Sequence, residues 1–172
     1  PIRADIEESE TFCHFSFIVN PILDEHKHIV YCVAGDVTKA HREGCKYLDQ
    51  MYRKPLKRRA DIVIVSQGGA PKDANLYQTQ KALDNSKYAV RDGGTIIVIG
   101  ACNEGLGSAK FEEWLTTAEK ADDLIERVGR DFQLGGHKAA AIAMVLENAD
   151  IHLVSDMDTA LVEKAFLKPY TC

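Results

Sequence analysis

Apolar and polar positions alternate in blocks along the chain, and the first blocks predict a β-hairpin followed by a helix. Two apolar segments rich in β-formers, "FSFIVNPILD" and "HIVYCVAG", flank the polar residues 24–27. This arrangement predicts two antiparallel strands joined by a turn. Pro21 interrupts the first strand and indicates an edge strand or a bulge. Apolar residues then recur at helical spacing up to Met51, with Asp36 or Thr38 as the candidate N-cap.

The rest of the chain alternates strand patterns with helix patterns. A continuous apolar run at residues 62–65 predicts a strand covered on both faces. A helix is expected over residues 76–90, then a turn at "RDGG", then the apolar strand of "TIIVIGACNEGLG". One amphipathic helix is predicted over residues 111–128, and "HKAAAIAMVLENA" is apolar on nearly all sides, as is typical of a buried helix. The strand "DIHLVS" and the helix "DTALVEKAFL", capped by Asp156 or Asp158, complete the series.

This order of elements predicts an α/β fold. We expect a three-layer, Rossmann-like architecture with a mainly parallel sheet flanked by helices, plus the N-terminal β-hairpin. The length of 172 residues suits one domain over residues 1–172. The chain opens on "PIRADIEE", without an initiator Met or a signal-peptide pattern, and closes on "FLKPYTC" with no further strand pattern. We therefore expect a fragment of a longer polypeptide.

Composition excludes several classes of protein. The net charge is −5, so the chain lacks the basic footprint of a nucleic-acid-binding protein. The basic cluster at residues 53–59 has little aromatic interleaving and is typical of a solvated helix end. No apolar run approaches the roughly 20 residues of a membrane-spanning helix. The five cysteines are widely spaced and form no CxxC pair, which indicates reduced thiols and a cytoplasmic protein.

Two glycine-rich loops follow consecutive strands, at residues 66–75 and 101–108. In open α/β sheets, ligands bind beyond the carboxyl ends of the strands. Both loops lead into predicted helices, and helix N-termini favour anions. The pattern therefore predicts a site for a small carboxylate or a phosphate. The chain contains neither a Walker A sequence nor a GxGxxG fingerprint, but a stand-alone nucleotide- or anion-binding domain remains an alternative.

Gln78 and Lys81 are the most informative polar pair next to these loops. They are three residues apart, which places them on one face of the predicted helix. An amide and an ammonium together can hold a carboxylate and an adjacent hydroxyl. The structural alternative makes Asn75 the N-cap, Gln78 its partner in a capping box and Lys81 a solvated lysine.

Other candidate residues carry weaker signals. His26 and His28 flank a turn, where either a metal site or a solvated turn is consistent with the sequence. His137 and Lys138 stand at a predicted helix start, for which a structural role is the simpler hypothesis. Cys102 follows a strand and precedes a possible helix N-terminus, which could lower a thiol pKa, but no base is identifiable beside it.

The segment "ADIVIVSQGGAPKDANLYQTQKALDNSKYAVRDGGTIIVIGACNEGLGS" closely resembles the C-terminal domain of the nickel-dependent lactate racemase family. The upstream segments "PIRADIEE" and "LDEHKHIVYCVAGDVTKAHREG" and the downstream "LGGHKAAAIA" resemble it as well. The likeness therefore covers nearly the whole chain. Its most specific part is the combination of "GGAPKDANLYQTQK" with "ACNEGLG".

This resemblance implies part of an isomerase that interconverts the stereoisomers of a small 2-hydroxy acid, with lactate as the prototype. In that family a nickel-pincer nucleotide, held by a lysine, takes hydride from the substrate C2 carbon and returns it, while paired histidines act as acid and base. Those histidines, the cofactor lysine and the metal-binding histidine belong to the N-terminal domain, and no segment here matches their motifs. The resemblance thus implies a C-terminal domain that is inactive alone and carries no nickel.

The resemblance also implies roles for particular residues. Gln78 and Lys81 would line the active-site cleft opposite the N-terminal domain, and this domain and the 2-hydroxy acid would be their partners. A set of loop residues would shape the turn without taking part in the chemistry: Gly68, Gly69, Pro71, Asp73 and Asn75. A third hypothesis is a structural or regulatory domain that reuses the fold, because fold alone does not determine function.

Overall fold

A computed structural model describes residues 2–170, apart from the side chains of Ile2 and Glu10. The chain divides into two compact units, Pro1–Pro55 and Leu56–Cys172. The expectation that the whole chain is one domain of a larger enzyme stays a prediction.

The first unit contains the predicted hairpin. Its elements are α1 (Ile2–Phe12), β1 (Ile18–Leu23), β2 (Ile29–Gly35) and α2 (Val37–Tyr52). The two strands are antiparallel, and the register shifts between Ile22 and Leu23, so the predicted hairpin is confirmed. Asp36 is the N-cap of α2, because its side chain accepts a hydrogen bond from the Lys39 N–H. Buried Ile22 and Val33 pack against α2 at Gly44.

Helix α1 was not expected from the sequence. Its segment is rich in acidic residues and lacks an apolar face of helical period, which is the signal that sequence reasoning uses. Within the unit, Arg42 of α2 donates two hydrogen bonds to the Glu7 carboxylate, at 3.0 and 2.7 Å. This ion pair connects α1 to α2, and the Arg3 guanidinium also donates to Cys45 Sγ at 3.5 Å.

The second unit is an α/β structure around a four-stranded parallel sheet, with the strands in the order β3-β4-β5-β6. Its elements are β3 (Ala60–Ser66), α3 (Leu76–Ser86), β4 (Val90–Ile99), α4 (Ala109–Thr117), α5 (Ala121–Arg130), α6 (Gly136–Leu146), β5 (Ala149–Val154), α7 (Thr159–Lys164) and β6 (Lys168–Tyr170). The predicted α/β class, with a parallel sheet flanked by helices and an N-terminal hairpin, is confirmed.

The two faces of this sheet differ. Strands that follow one another in chain order through right-handed crossovers place their helices on the same face. On that face Ile96 and Ile151, which are register partners, are 0% and 1% exposed. On the other face Ile62 and Ile64 of β3 are 58% and 66% exposed. The expectation that β3 is covered on both faces is therefore wrong within residues 2–170, because most of the Ile62 and Ile64 side-chain surface is exposed.

Several predicted boundaries also differ from the structure. "RDGG" is not a separate turn but belongs to β4, whose register with β3 shifts by a bulge. The helix expected over residues 111–128 is divided into α4 and α5, and the Lys120 N–H donates to Asp123 at the start of α5. Strand β6 was not expected, since three residues that include a proline give almost no strand signal. The candidate cap Asp158 is confirmed.

No helix within residues 2–170 is long and apolar enough to cross a membrane. Four cysteines in this range are free thiols: Cys13, Cys32, Cys45 and Cys102. The fifth, Cys172, lies outside the described residues. The cytoplasmic location inferred from cysteine usage stays a prediction.

Candidate functional site

The two glycine-rich loops follow β3 and β4 and are hydrogen-bonded to each other. The buried Asp73 accepts from Ala101 N at its carboxylate (3.1 Å) and from Cys102 N at its carbonyl (2.9 Å). The Asn75 side chain donates to the Glu104 carboxylate at 3.0 Å. These contacts join the loops into one surface at the carboxyl ends of the strands, where ligands bind in open α/β sheets.

The predicted loop residues lie in the first of these loops. Gly68 and Gly69 have φ angles of +100° and +72°, in the region that favours glycine, and the Ala70–Pro71 peptide bond is cis. Lys72 N donates to the Gly69 carbonyl at 2.9 Å, closing the turn. The loop therefore needs its glycines for backbone geometry, while a part in substrate binding stays a prediction.

Asn75 is the N-cap of α3, as the structural alternative for this motif predicts. Its side-chain oxygen accepts from Gln78 N at 3.1 Å. The capping box is not completed in the described hydrogen bonds, because the Gln78 side-chain oxygen instead accepts from Lys81 Nζ at 2.6 Å. Gln78 and Lys81 are therefore paired with each other on one face of the helix, as their spacing predicts.

The N-terminus of α3 does not offer free N–H groups to an anion. Leu76 N donates to the Gly105 carbonyl at 2.9 Å, and Tyr77 N donates to the Leu106 carbonyl at 3.2 Å. Gln78 N is taken by Asn75. The expectation of an anion-cradling helix end is wrong here, because the second loop already occupies the donors that a phosphate would need. Any ligand at this helix must be held by side chains.

Gln78 and Lys81 together present hydrogen-bond donors. An ammonium has only donors, so its contact fixes Gln78 with the amide oxygen toward Lys81. Among the described contacts, the Gln78 Nε2 and the remaining Lys81 protons have no acceptor. Gln78 is half-buried and Lys81 is exposed. An acceptor-only group such as a carboxylate complements this arrangement.

The pair borders an open depression of about 420 Å³. Its lining residues are Gln67, Pro71, Lys72, Ala74, Asn75, Gln78, Lys81 and Glu104. Lys72 and Glu104 were not singled out from the sequence, although both stand in the loops that were. Charged residues within glycine-rich loops at strand ends are the signal that would have found them.

A second depression, of about 270 Å³, lies at the opposite end of the strands, near the starts of β4 and β5. Its cations are neutralised: Arg59 pairs with Asp92 at 3.3 Å, and Lys87 pairs with Asp84 at 3.3 Å. We therefore place the candidate site at the Gln78 depression, where the Lys81 charge has no carboxylate partner among the described ion pairs.

Lys138, for which the sequence suggested only a structural role, lies next to this site. Its ammonium donates to the Tyr77 carbonyl at 2.8 Å and lies 4.3 Å from the centre of the Tyr77 ring. Burial lowers the pKa of Lys138 below its ordinary value, and the charge of Lys81 lowers it further. Sequence reasoning could not find this contact, because 61 residues separate its partners.

The other candidates are placed away from any ligand. Cys102 is fully buried, and burial raises the pKa of its thiol, so it does not meet the requirement for a nucleophile. The backbone N–H groups of His26 and His28 both donate to the Asp24 carboxylate within an exposed turn. His137 accepts from Gly135 N at 3.2 Å through its ring nitrogen, which is a structural contact.

The described residues do not fit a nickel ion. No group of three or more His, Cys, Asp or Glu side chains within residues 2–170 could hold a metal. The polar lining of the depression beside α3 consists of three amides, two ammonium groups and one carboxylate, Glu104, which already accepts from Asn75. A single carboxylate beside two ammonium groups does not make a cation site. A nickel cofactor would therefore need ligands from outside the described residues.

Comparison with known proteins identifies relatives of this chain. The family model of the lactate racemase C-terminal domain matches residues 56–170, which is nearly the whole second unit. The lactate racemase of Thermoanaerobacterium thermosaccharolyticum is 32% identical over 174 residues, covering 98% of this chain and 41% of the relative. The lactate racemase of Lactiplantibacillus plantarum is 30% identical, covering 73% of this chain and 30% of the relative.

Solved structures give the same result. The lactate racemase apoprotein from Thermoanaerobacterium thermosaccharolyticum superimposes with a TM-score of 0.90 and 29% identity, over 98% of this chain and 42% of that one. A crystal structure from Thermotoga maritima has a TM-score of 0.64 at 16% identity and covers 45% of that chain, so it shows only the fold. The chain thus spans less than half the length of these relatives.

Proposed function

We propose that this chain, which belongs to the lactate racemase family as its C-terminal domain, forms one wall of the active site of an isomerase that interconverts the stereoisomers of a small 2-hydroxy acid. The opposite wall would come from an N-terminal domain. This proposal extends to the present chain the activity that the names of its relatives state. The localisation consistent with it is cytoplasmic.

One observation carries the proposal: the donor-only face of Gln78 and Lys81. A 2-hydroxy acid has a carboxylate and an adjacent hydroxyl, and both can accept hydrogen bonds from this face. In our proposal the Lys81 ammonium neutralises the carboxylate, and the Gln78 amide donates to a second oxygen. Their mutual hydrogen bond fixes both side chains before a ligand arrives, which reduces the entropy lost on binding.

The hydride chemistry would be supplied by a nickel-pincer nucleotide, as the family resemblance implies. Because the described residues of this chain do not fit the metal, we assign the cofactor to the N-terminal domain. The residues of the present chain would bind and orient the substrate, and the paired histidines of the other domain would move the proton. We therefore expect the isolated chain to be unable to racemise lactate.

The test is made in the intact protein that contains this chain. Racemisation of D- and L-lactate is measured for Gln78→Ala and Lys81→Met, with Lys87→Met as a matched control. Lys87 lies just beyond the other end of α3 and is paired with Asp84. We expect kcat/KM to fall about 100-fold or more in Lys81→Met, because this variant loses a charged contact to the substrate. In Gln78→Ala we expect a fall of about tenfold, because the lost contact is neutral.

The control variant should keep its activity, and circular dichroism should show all three variants folded. Full turnover by folded Lys81→Met and Gln78→Ala would overturn the cleft assignment and favour a structural or regulatory domain. Absence of racemase activity in the unchanged intact protein, loaded with its cofactor, would overturn the reaction itself.

A further inference from the structure

A lysine that does not line the depression contacts the helix that carries Gln78 and Lys81. Lys138 stands in the first turn of α6, and its ammonium reaches across to α3. The contact is made to the carbonyl of Tyr77, the residue that immediately precedes Gln78. The Tyr77 ring is held in turn by an edge-on contact with Phe111 at 5.5 Å. Lys138 therefore contacts the turn of α3 from which the Gln78 and Lys81 side chains project.

The charge of Lys138 is the second relevant property. An ammonium that is half-buried and bonded to a carbonyl remains a cation at neutral pH unless its pKa falls by several units. The described ion pairs of residues 2–170 give Lys138 no carboxylate partner, and Asp84 is the acidic group that opposes the lowering of its pKa. Lys81 and Lys138 act on each other electrostatically. Two neighbouring cations without a bound anion repel each other, and a carboxylate between or beside them relieves this repulsion.

We propose that Lys138 is a positioning residue for this site: it holds the first turn of α3 through the Tyr77 carbonyl and adds a positive charge, beyond those of Lys72 and Lys81 in the lining, that strengthens binding of the substrate carboxylate at Lys81. The inference rests on the proposed function, because it names how that site selects an anion. A surface lysine would add little, but Lys138 is partly withdrawn from solvent, so its field is less screened.

The experiment uses the intact protein and compares Lys138→Met with Lys138→Arg. Methionine has a similar length but no charge and no N–H donor, whereas arginine keeps both. We expect Lys138→Met to raise the KM for lactate about tenfold at low ionic strength, with a smaller fall in kcat. Salt at about 0.5 M should shrink this rise, because it screens the missing charge. Lys138→Arg should restore KM to within about threefold of the unchanged protein.

A merely structural lysine would give a different result. An unchanged KM in folded Lys138→Met, an equal rise in Lys138→Arg, or a rise that is the same at low and high salt would each overturn the proposal. If Lys138→Met does not fold, Lys138→Gln takes its place, since it keeps an N–H donor for the Tyr77 carbonyl but lacks the charge. The salt-dependent rise in KM is expected for this variant too.

Lys81→Met is measured in parallel to separate the two proposals. Loss of turnover in Lys81→Met, together with an unchanged KM in Lys138→Met, would remove the role of Lys138 and leave the proposed function intact. Full turnover in Lys81→Met would overturn the proposed function, and the role of Lys138 with it.

Discussion

Gly107 lies directly against the side chain of Asn75, so closely that a Cβ added at Gly107 would lie 2.2 Å from Asn75 Cγ. The φ angle of Gly107 is +83°. Asn75 caps α3 and donates to Glu104, so Gly107 packs against the residue that joins the two loops. This contact explains why the second glycine-rich loop needs a residue without a side chain at this position.

Gly107→Ala should therefore displace Asn75 and lower the free energy of unfolding by about 3 kcal/mol, combining an unfavourable φ with a steric clash. Gly105→Ala is the matched control, because Gly105 also has a positive φ, +67°, but a Cβ there would meet no atom within 4 Å. That variant should lose only about 1 kcal/mol. Urea denaturation of the two variants gives the comparison, and equal losses would contradict the role of the Asn75 contact.

The thiol of Cys102 should be protected from alkylation in the folded protein. The Cys102 side chain is fully buried, and burial raises its pKa above the usual 9.0. Because iodoacetamide reacts with the thiolate, we expect fast labelling of the exposed Cys13 and Cys32 at pH 8, and labelling of Cys102 only in urea. Mass spectrometry of digested protein locates the label, and rapid modification of Cys102 without denaturant would contradict its burial.

The raised pKa of Cys102 also predicts how the free energy of unfolding changes at alkaline pH. In the unfolded chain the thiol ionises near pH 9.0, while in the folded protein it stays protonated to higher pH. Cys102 therefore contributes stability below pH 9.0 that is lost as the pH rises toward its raised pKa. Cys102→Ser, which does not ionise in this range, should show a smaller loss of stability between pH 8 and 10 in urea titrations. An unchanged slope would show that Cys102 does not titrate on unfolding.

The sequence predicted the features that depend on neighbouring residues. The hairpin, the buried helix α6, the caps Asp36 and Asp158 and the spacing of Gln78 and Lys81 all follow from local patterns of apolar residues and capping side chains. The resemblance to a known family, carried by the two loop motifs, was confirmed by the family model and by the relatives.

What the sequence could not predict depends on contacts between distant segments. The carbonyls of Gly105 and Leu106 occupy the N-terminal donors of α3, and Lys138 reaches Tyr77 from another helix. Both arrangements change the chemistry of the site: an anion would be bound by side chains and not by the backbone N–H groups at the N-terminus of α3. Helix α1 and strand β6 were missed for a different reason, since neither has an apolar pattern of sufficient length.

Gly129 offers a simple way to stabilise the second unit. It lies near the end of α5, and a Cβ at this position would meet no atom within 4 Å. Gly129→Ala should raise the free energy of unfolding by about 0.5–1 kcal/mol, because alanine restricts the unfolded chain and favours helix. Thermal unfolding measures the change. A lower midpoint in Gly129→Ala would show that this turn of α5 is not helical in solution.

The two faces of the sheet differ in burial, as two isoleucines of neighbouring strands show. Ile96 is fully buried beneath the helices, whereas Ile64 is 66% exposed on the other face. In the isolated chain Ile96→Ala should lower the free energy of unfolding by about 2–5 kcal/mol, since it leaves a cavity. Ile64→Ala should cost less than about 1 kcal/mol, because most of its side chain is already in water. Urea denaturation of both variants checks the difference. A large loss for Ile64→Ala would show that the second face is covered in solution by a contact that the exposed surface does not reveal.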